Sequence, residues 1–242
     1  MNDIILHMKD TVVLMKTCTW SLNIEEFAKK IYNDTRMSKI DFFILMHGDS
    51  QVNDDSLKDI IIKFTEEEIK GIYQVGFFSM WLSNHWILMW FYRKFNNYKY
   101  YWSFEYDVRI SGNSNLIWNY NGSYDLLYPR GNYRNTNNKY KECYIGGKLT
   151  PLQKFYGYLQ ISRYSNRALK YLDKCFEEGE NGQDELIIFS LLNRGGFTGS
   201  KIFLRSLVKG IWTWESMYSD YNKSLYNKAN SVNQLSIFHP VK

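Results

Sequence analysis

The sequence predicts an α/β fold with a mostly parallel central sheet flanked by helices. Two apolar runs read as strands: residues 10–15 (D-T-V-V-L-M) are rich in β-branched side chains, and residues 41–46 (D-F-F-I-L-M) have the profile of a strand covered on both faces. Each is followed by a stretch with helical spacing, which is the β-α-β rhythm of a parallel sheet. A third run, residues 99–106, is strongly aromatic and passes straight into Glu105 and Asp107. Acids at the end of such a strand lie at the C-terminal edge, where open α/β sheets bind ligands. Side chains alternate along a strand, so Glu105 and Asp107 share one side and Tyr106 takes the other.

Bulk properties narrow the class. The 242 residues suffice for one sizeable core, read here as one domain. Aromatic content is 18%, more than an ordinary core requires, so some rings are expected to line a sugar- or base-binding cleft. The net charge is only +5 and no basic block occurs, which argues against nucleic acid as a partner. The small excess fits an anionic ligand or an anionic membrane surface. Three scattered cysteines, Cys18, Cys143 and Cys175, form neither a disulfide framework nor a zinc signature and fit a reducing compartment. The N-terminal residues lack the pattern of a signal peptide. Residues 71–92 carry no formal charge, but Gln74, Ser79, Ser83, Asn84 and His85 interrupt them, so a buried helix is expected rather than a membrane span. The expected location is cytoplasmic, with peripheral membrane contact compatible with the charge.

In order along the chain, residues 10–15 form the first strand and residues 16–20 the loop leaving its C-terminal end. A helix starts at Asn23, with Glu25 and Glu26 in its first turn and Ile24, Phe27, Ala28 and Ile31 on its buried stripe. Residues 41–46 form the second strand, residues 47–50 a tight turn around Gly48, and residues 55–64 a helix. His47 and Asp49 reach the ligand edge, as turn and cap residues or as nucleotide contacts. Asn84 caps a helix over residues 85–95, and Trp81 belongs to the core or stacks on a base. The aromatic strand follows and turns at Ser111-Gly112-Asn113. Residues 113–141 crowd Asn, Tyr and Arg without apolar periodicity. They read as a long surface loop, or a lid or acceptor platform, with a short strand at 124–128. Ser162 or Ser165 caps a helix ending at Phe176, with Arg163 and Arg167 on a solvated face. A polar turn over residues 177–182 leads to a helix over residues 183–192, which Gly195-Gly196 stops. A last strand spans residues 234–238.

Two carboxylates on one side of a strand end suit a hard divalent cation, Mg²⁺ or Mn²⁺, carrying a phosphorylated ligand. The plainer alternative is a strand end with two solvated acids. The segment Y-Y-W-S-F-E-Y-D-V-R-I-S-G-N (residues 100–113) resembles the metal-binding segment of GT-A-fold glycosyltransferases, with Glu105-Tyr106-Asp107 as a variant of their D-x-D pattern. Gly182-Gln183-Asp184-Glu185 is similar to the acceptor-side acidic turn of that family. Phe238-His239-Pro240 sits where many members supply a metal-binding histidine. The three segments occur in family order across roughly the whole chain.

The resemblance implies a nucleotide-diphospho-sugar as donor, a glycan, lipid-linked or protein hydroxyl as acceptor, and Mn²⁺ or Mg²⁺ as cofactor. It implies a Rossmann-like nucleotide-binding half over residues 1–112 and an acceptor-side half over residues 113–242. Asp107 would ligate the metal, Glu105 would contact the ribose or the metal through water, and His239 would complete the metal shell. Arg109 or Lys242 would pair with the diphosphate. Glu185 would be the general base, with Asp184 as its rival; both are equally plain as acids favoured at a helix N-terminus. His239 also reads as a residue of a loose tail, so its role requires the C-terminus to dock. Glu in place of the first Asp, and a first loop without a nucleotide signature, leave the donor open. The alternatives are a non-catalytic carbohydrate-binding protein and a sugar nucleotidyltransferase. The second usually shows a glycine-rich basic loop, which residues 16–20 lack.

Overall fold

A computed structural model describes residues 9–48, 52, 54–73, 79–134, 149 and 153–242. The chain opens with strand β1 (Lys9–Thr17), helix α1 (Leu22–Met37) and strand β2 (Asp41–His47). A short 3₁₀ turn (Asp55–Ile60) leads to β3 (Ile61–Phe64) and α2 (Glu66–Lys70). Helix α3 (His85–Lys94) feeds the aromatic strand β4 (Tyr98–Glu105), followed by β5 (Arg109–Ser111) and α4 (Asn115–Trp118). Then come β6 (Leu126–Leu127), β7 (Arg130–Arg134), β8 (Phe155–Tyr158), β9 (Ile161–Ser165), α5 (Asn166–Glu177) and α6 (Asp184–Arg194). The C-terminal segment adds β10 (Gly199–Ser200), α7 (Ile202–Leu207), α8 (Ser219–Ser231) and β11 (Ser236–Phe238).

One seven-stranded sheet, ordered β10-β6-β9-β4-β1-β2-β3, organises these elements. Pairings β4-β1, β1-β2, β2-β3 and β6-β10 are parallel, and only β9 runs antiparallel to its neighbours. The mainly parallel α/β sheet expected from the apolar runs is therefore present. Alternation along β1 explains its two-sided core. Val12 and Leu14 pack with Trp86, Trp90, Phe91 and Tyr101 on one face. Val13 and Met15 pack with Phe27, Ile31, Trp102 and Trp118 on the other. Burying each such aliphatic side chain contributes about 1.5–3 kcal/mol. Much of the aromatic surplus thus lies in the core. No helix among the described residues is long and apolar enough to cross a membrane.

Several local expectations change. Residues 55–64 are not one helix, because Ile61 and Ile62 pair with β2 as an added strand. β-branched side chains fit that pleated, half-buried edge better than a helix. Ser165, not Ser162, caps α5, its side chain accepting from the Ala168 amide at 3.2 Å. The region read as a loop over residues 113–141 contains α4, β6 and β7; residues 135–141, like Asp49 and Ser50 of the turn after β2, lie outside the described residues.

Arg163 is not on a solvated helix. It is a 1% exposed residue of β9, and its guanidinium donates to the carbonyls of Tyr120, Gly122 and Tyr124. The same group stands 4.0 Å from the Tyr100 ring centroid. Arg163→Leu would strand those three carbonyls, at a cost of about 3–5 kcal/mol. We expect a melting temperature roughly 10 °C lower by differential scanning calorimetry. Arg163→Lys should not rescue it, since an ammonium cannot reproduce the planar fork.

The chain end is docked. β11 pairs antiparallel with β5, matching Phe238 to Arg109, Ile237 to Ile110 and Ser236 to Ser111. Beyond it, the Val241 amide donates to the Asp107 carbonyl at 2.8 Å, and the Lys242 amide to Ser219 Oγ at 2.7 Å. The buried Asn222 of α8 donates to the Pro240 carbonyl, 3.2 Å away. Gly112 (φ 67°) makes the turn after β5, where a Cβ would lie 2.8 Å from the Leu235 nitrogen.

Candidate active site

A cavity of about 530 Å³ opens at the C-terminal edge of the parallel strands. Lys16 and Thr17 end β1, His47 ends β2, Phe64 ends β3 and Glu105 ends β4; all five line it. From β1 the chain winds outward to β2 and β3, then returns to place β4 on the other side of β1. The cleft therefore sits at the point where strand order reverses, the usual ligand site of such sheets.

Glu105 and Asp107 do meet, though not by strand alternation. β4 stops at Glu105, and the Val108 amide closes a turn onto the Glu105 carbonyl at 3.0 Å. The turn brings Asp107 round to the Glu105 side, and Tyr106 also borders the cavity. The docked C-terminus then delivers His239, whose Nε2 stands 3.4 Å from Asp107 Oδ1 and 3.7 Å from Glu105 Oε2. Ligand atoms of Glu105, Asp107 and His239 all lie within 4.8 Å of one another. Two carboxylates and an imidazole nitrogen are a donor set that suits Mg²⁺ or Mn²⁺. Both N···O separations are longer than the usual hydrogen bond. His239 is 2% exposed, and its ring packs on Trp212 with centroids 5.2 Å apart.

Asn84 has a different task from the expected cap. Its side chain makes no capping bond and instead donates to Glu105 Oε1 at 2.8 Å. Trp81 is not core: it is 73% exposed at the cavity, where Trp214 also stands 40% exposed. Lys242 lines the cavity and its charge bears on Asp107. Arg109 is not brought to the cavity. It is buried, with its guanidinium 4.6 Å from the Phe27 ring centroid and donating to the carbonyls of Tyr106 and Val108. Register with β11 turns it toward the core side of β5, so Lys242 is the better placed of the two expected diphosphate partners.

Asp184 and Glu185 open α6 on the same cavity. The Asp184 amide donates to the Leu82 carbonyl at 2.9 Å, joining this turn to the segment that carries Trp81. Asp184 Oδ1 accepts from the Glu185 amide at 2.7 Å, the helix-start role open to either acid. Glu185 Oε1 instead accepts from Gln160 Nε2 at 2.7 Å.

Charge explains the electrostatics. Four carboxyls, Glu105, Asp107, Asp184 and Glu185, face two ammonium groups, Lys16 and Lys242. Burial, with Glu105 adding to it, pushes Asp184 up to about 7 despite Lys16. Burial together with Asp184 and Glu105 carries Glu185 well above the usual carboxylate range. Glu105 is raised by burial, with Lys16 opposing and Asp107 adding. Asp107 is held low: burial raises it, but His239 and Lys242 outweigh that. Burial lowers Lys16 although Glu105 and Asp184 oppose the shift. Fully ionised, the cluster carries two uncompensated negative charges. It relieves them by keeping protons, and a divalent cation would relieve them equally.

Lys16 was not visible as a site residue in the sequence. It lies in the loop expected after the first strand, but β1 runs to Thr17 and pairs Lys16 beside Glu105. A lysine ending an apolar run is the one signal that could have marked it.

A pH dependence follows. A carboxyl raised on folding contributes stability that is present below its unfolded value, near 4, and lost as pH rises through its folded value. For Asp184 that window ends near 7. Asp184→Asn should raise the melting temperature at pH 7.5 by roughly 2–6 °C and have little effect at pH 4, measured by thermal melts across that range.

No protein-family model and no curated protein matches the sequence. Among solved structures, a glycosyltransferase involved in glycosylation of the major capsid of PBCV-1 aligns with a TM-score of 0.35 at 9% identity, over 68% of this chain and 63% of its own. The galactosyltransferase LgtC, in complex with donor and acceptor sugar analogs, gives 0.42 at 15%, over 77% of this chain and 70% of its own. A putative glucose-1-phosphate thymidylyltransferase from Bacillus anthracis gives 0.42 at 11%, over 93% and 95%. The chain thus spans less than two thirds of the first of these. Likeness of this degree assigns no role to any residue, and the chemistry rests on the cleft itself.

Proposed function

We propose that this chain is a metal-dependent glycosyltransferase of GT-A type, moving a sugar from a nucleotide-diphospho-sugar to a hydroxyl acceptor. The observation that carries the reading is the convergence of Glu105, Asp107 and His239 from distant parts of the chain in one cleft with Asp184 and Glu185. Asp107 and His239 would hold Mn²⁺ or Mg²⁺, with Glu105 as a further ligand or ribose contact. Such a cation, when bound, stabilises the charge that grows on a departing nucleoside diphosphate. Lys242 would pair with the diphosphate from the docked tail. Glu185 would take the proton of the acceptor hydroxyl, since burial, Asp184 and Glu105 raise its affinity for protons. Residues 1–112 would serve the donor and residues 113–242 the acceptor, a glycan, lipid-linked or protein hydroxyl, with Trp81 and Trp214 offering it ring faces.

Isothermal titration with UDP- and GDP-sugars, in Mn²⁺ and in EDTA, tests this. We expect binding of at least one nucleotide-sugar that chelation weakens at least tenfold. Absence of metal-dependent nucleotide binding would remove the assignment. The two exposed indoles at the cleft favour one second reading, a non-catalytic carbohydrate-binding protein. It requires glycan binding that survives both EDTA and Asp107→Asn.

A further inference from the structure

We propose that Trp212 and Gln160 are positioning residues that fix the Glu185 carboxylate, holding Oε1 as an acceptor and leaving Oε2 as the oxygen for proton exchange. The proposal deepens the role given to Glu185 above and rests on it. The Trp212 indole N–H donates to Gln160 Oε1 at 3.1 Å. Gln160 Nε2 donates to Glu185 Oε1 at 2.7 Å. All three side chains are buried, with residue exposures of 6%, 6% and 5%.

The polarity of this chain follows from chemistry. An indole nitrogen can only donate. It therefore turns the Gln160 carbonyl toward itself and the NH₂ group toward Glu185. Rotating the amide by half a turn would set N–H against N–H at Trp212, so the orientation of Gln160 is determined rather than free. Glu185 Oε1 then faces a donor and must present a lone pair. A proton on that oxygen would point at another N–H, so gain and loss of the proton fall to Oε2, while the Leu159 amide, which also bears on this carboxyl, favours its ionised form.

The stalk is rigid at both ends. The backbone carbonyl of Gln160 accepts from the Glu105 amide at 2.9 Å, which pins Gln160 to the end of β4. The Trp212 ring packs on His239, and the Thr213 amide approaches the His239 carbonyl at 3.5 Å. Trp212 thus touches the metal-side histidine through its ring and the acceptor-side acid through its N–H. Docking of the C-terminal strand would set both at once. Without Trp212 the buried amide could flip and its carbonyl oxygen accept a hydrogen bond from protonated Glu185, holding the acid in its neutral, unreactive form.

The test uses the full chain in two measurements. In ¹⁵N-labelled protein without nucleotide or metal, the Trp212 indole resonance is identified by its loss in Trp212→Phe. We expect it to move upfield in Gln160→Met, as its acceptor is removed, and to move in Glu185→Gln. In transfer assays with Mn²⁺ and the nucleotide-sugar that binds, Trp212→Phe and Gln160→Met should each lower kcat about tenfold and leave the donor KM within about twofold. The double variant should be no slower than Gln160→Met alone, because both act through one chain of bonds.

An indole resonance unmoved by Gln160→Met, or additive losses of kcat in the double variant, would overturn the proposal. If Trp212→Phe does not fold, Gln160→Met, which leaves the aromatic packing in place, decides alone: wild-type kcat in that variant overturns the relay. Failure here with metal-dependent donor binding intact would leave the glycosyltransferase reading standing. Failure of that reading would show instead as no metal-dependent nucleotide binding.

Discussion

Asp107→Asn is expected to abolish Mn²⁺-dependent binding of a nucleoside diphosphate and to lower sugar transfer about a thousandfold. An amide matches the carboxylate in shape but offers one weak neutral oxygen to a cation. Asp107 is also the carboxyl of the cluster that its surroundings keep ionised, through His239 and Lys242. It is therefore ready to bind a metal without first losing a proton. The Val241 amide bonds to the backbone carbonyl of Asp107, so the side-chain change leaves the docked tail in place. Titration calorimetry with Mn²⁺ and UDP checks the binding, and a thermal melt within about 3 °C of wild type confirms the fold. Undiminished metal-dependent binding would exclude Asp107 as the ligand.

Glu185→Gln is expected to lower transfer by about 10²–10⁴-fold while leaving binding of metal and nucleotide unchanged. The acid lies at the start of α6, while the expected metal ligands come from the end of β4 and the C-terminal tail. Its loss should therefore appear in kcat with acceptor saturating, not in the donor KM. Asp184→Asn is the informative partner. Asp184 Oδ1 accepts from the Glu185 amide and from Gln183 Nε2, and the oxygen of an asparagine there can accept both. The replacement should cost transfer no more than about tenfold. A larger loss from Asp184→Asn than from Glu185→Gln would exchange the two roles.

The strands that build the sheet were legible because burial on both faces leaves a local mark. Residues 10–15 and 41–46 are apolar almost throughout, and β1 and β2 run through them. The end of the aromatic strand was legible to within a residue, Tyr106 expected and Glu105 found, for the same reason: acids stop a buried run. The residue 55–64 segment was not, since a short mixed stretch fits either a helix or an edge strand until the neighbour is known. Here β2 supplies an open edge and Ile61–Phe64 fills it. Arg163 misled because an arginine in sequence looks solvated, and only three inward-facing carbonyls explain its burial.

The parallel core, the acid-tipped central strand and the chemical type of each candidate group can be read from the amino-acid order alone. Those are properties of short windows, where side-chain period and hydrophobicity report directly on burial. Which candidates meet depends on how the elements pack. Pairing of β11 with β5 brings His239 to Asp107 and turns Arg109 into the core. Register between β1 and β4 sets Lys16 beside Glu105, and Gln160 links Glu105 to Glu185 and Trp212. Such contacts join residues far apart in the chain. Their geometry depends on how whole elements pack, which no local window records.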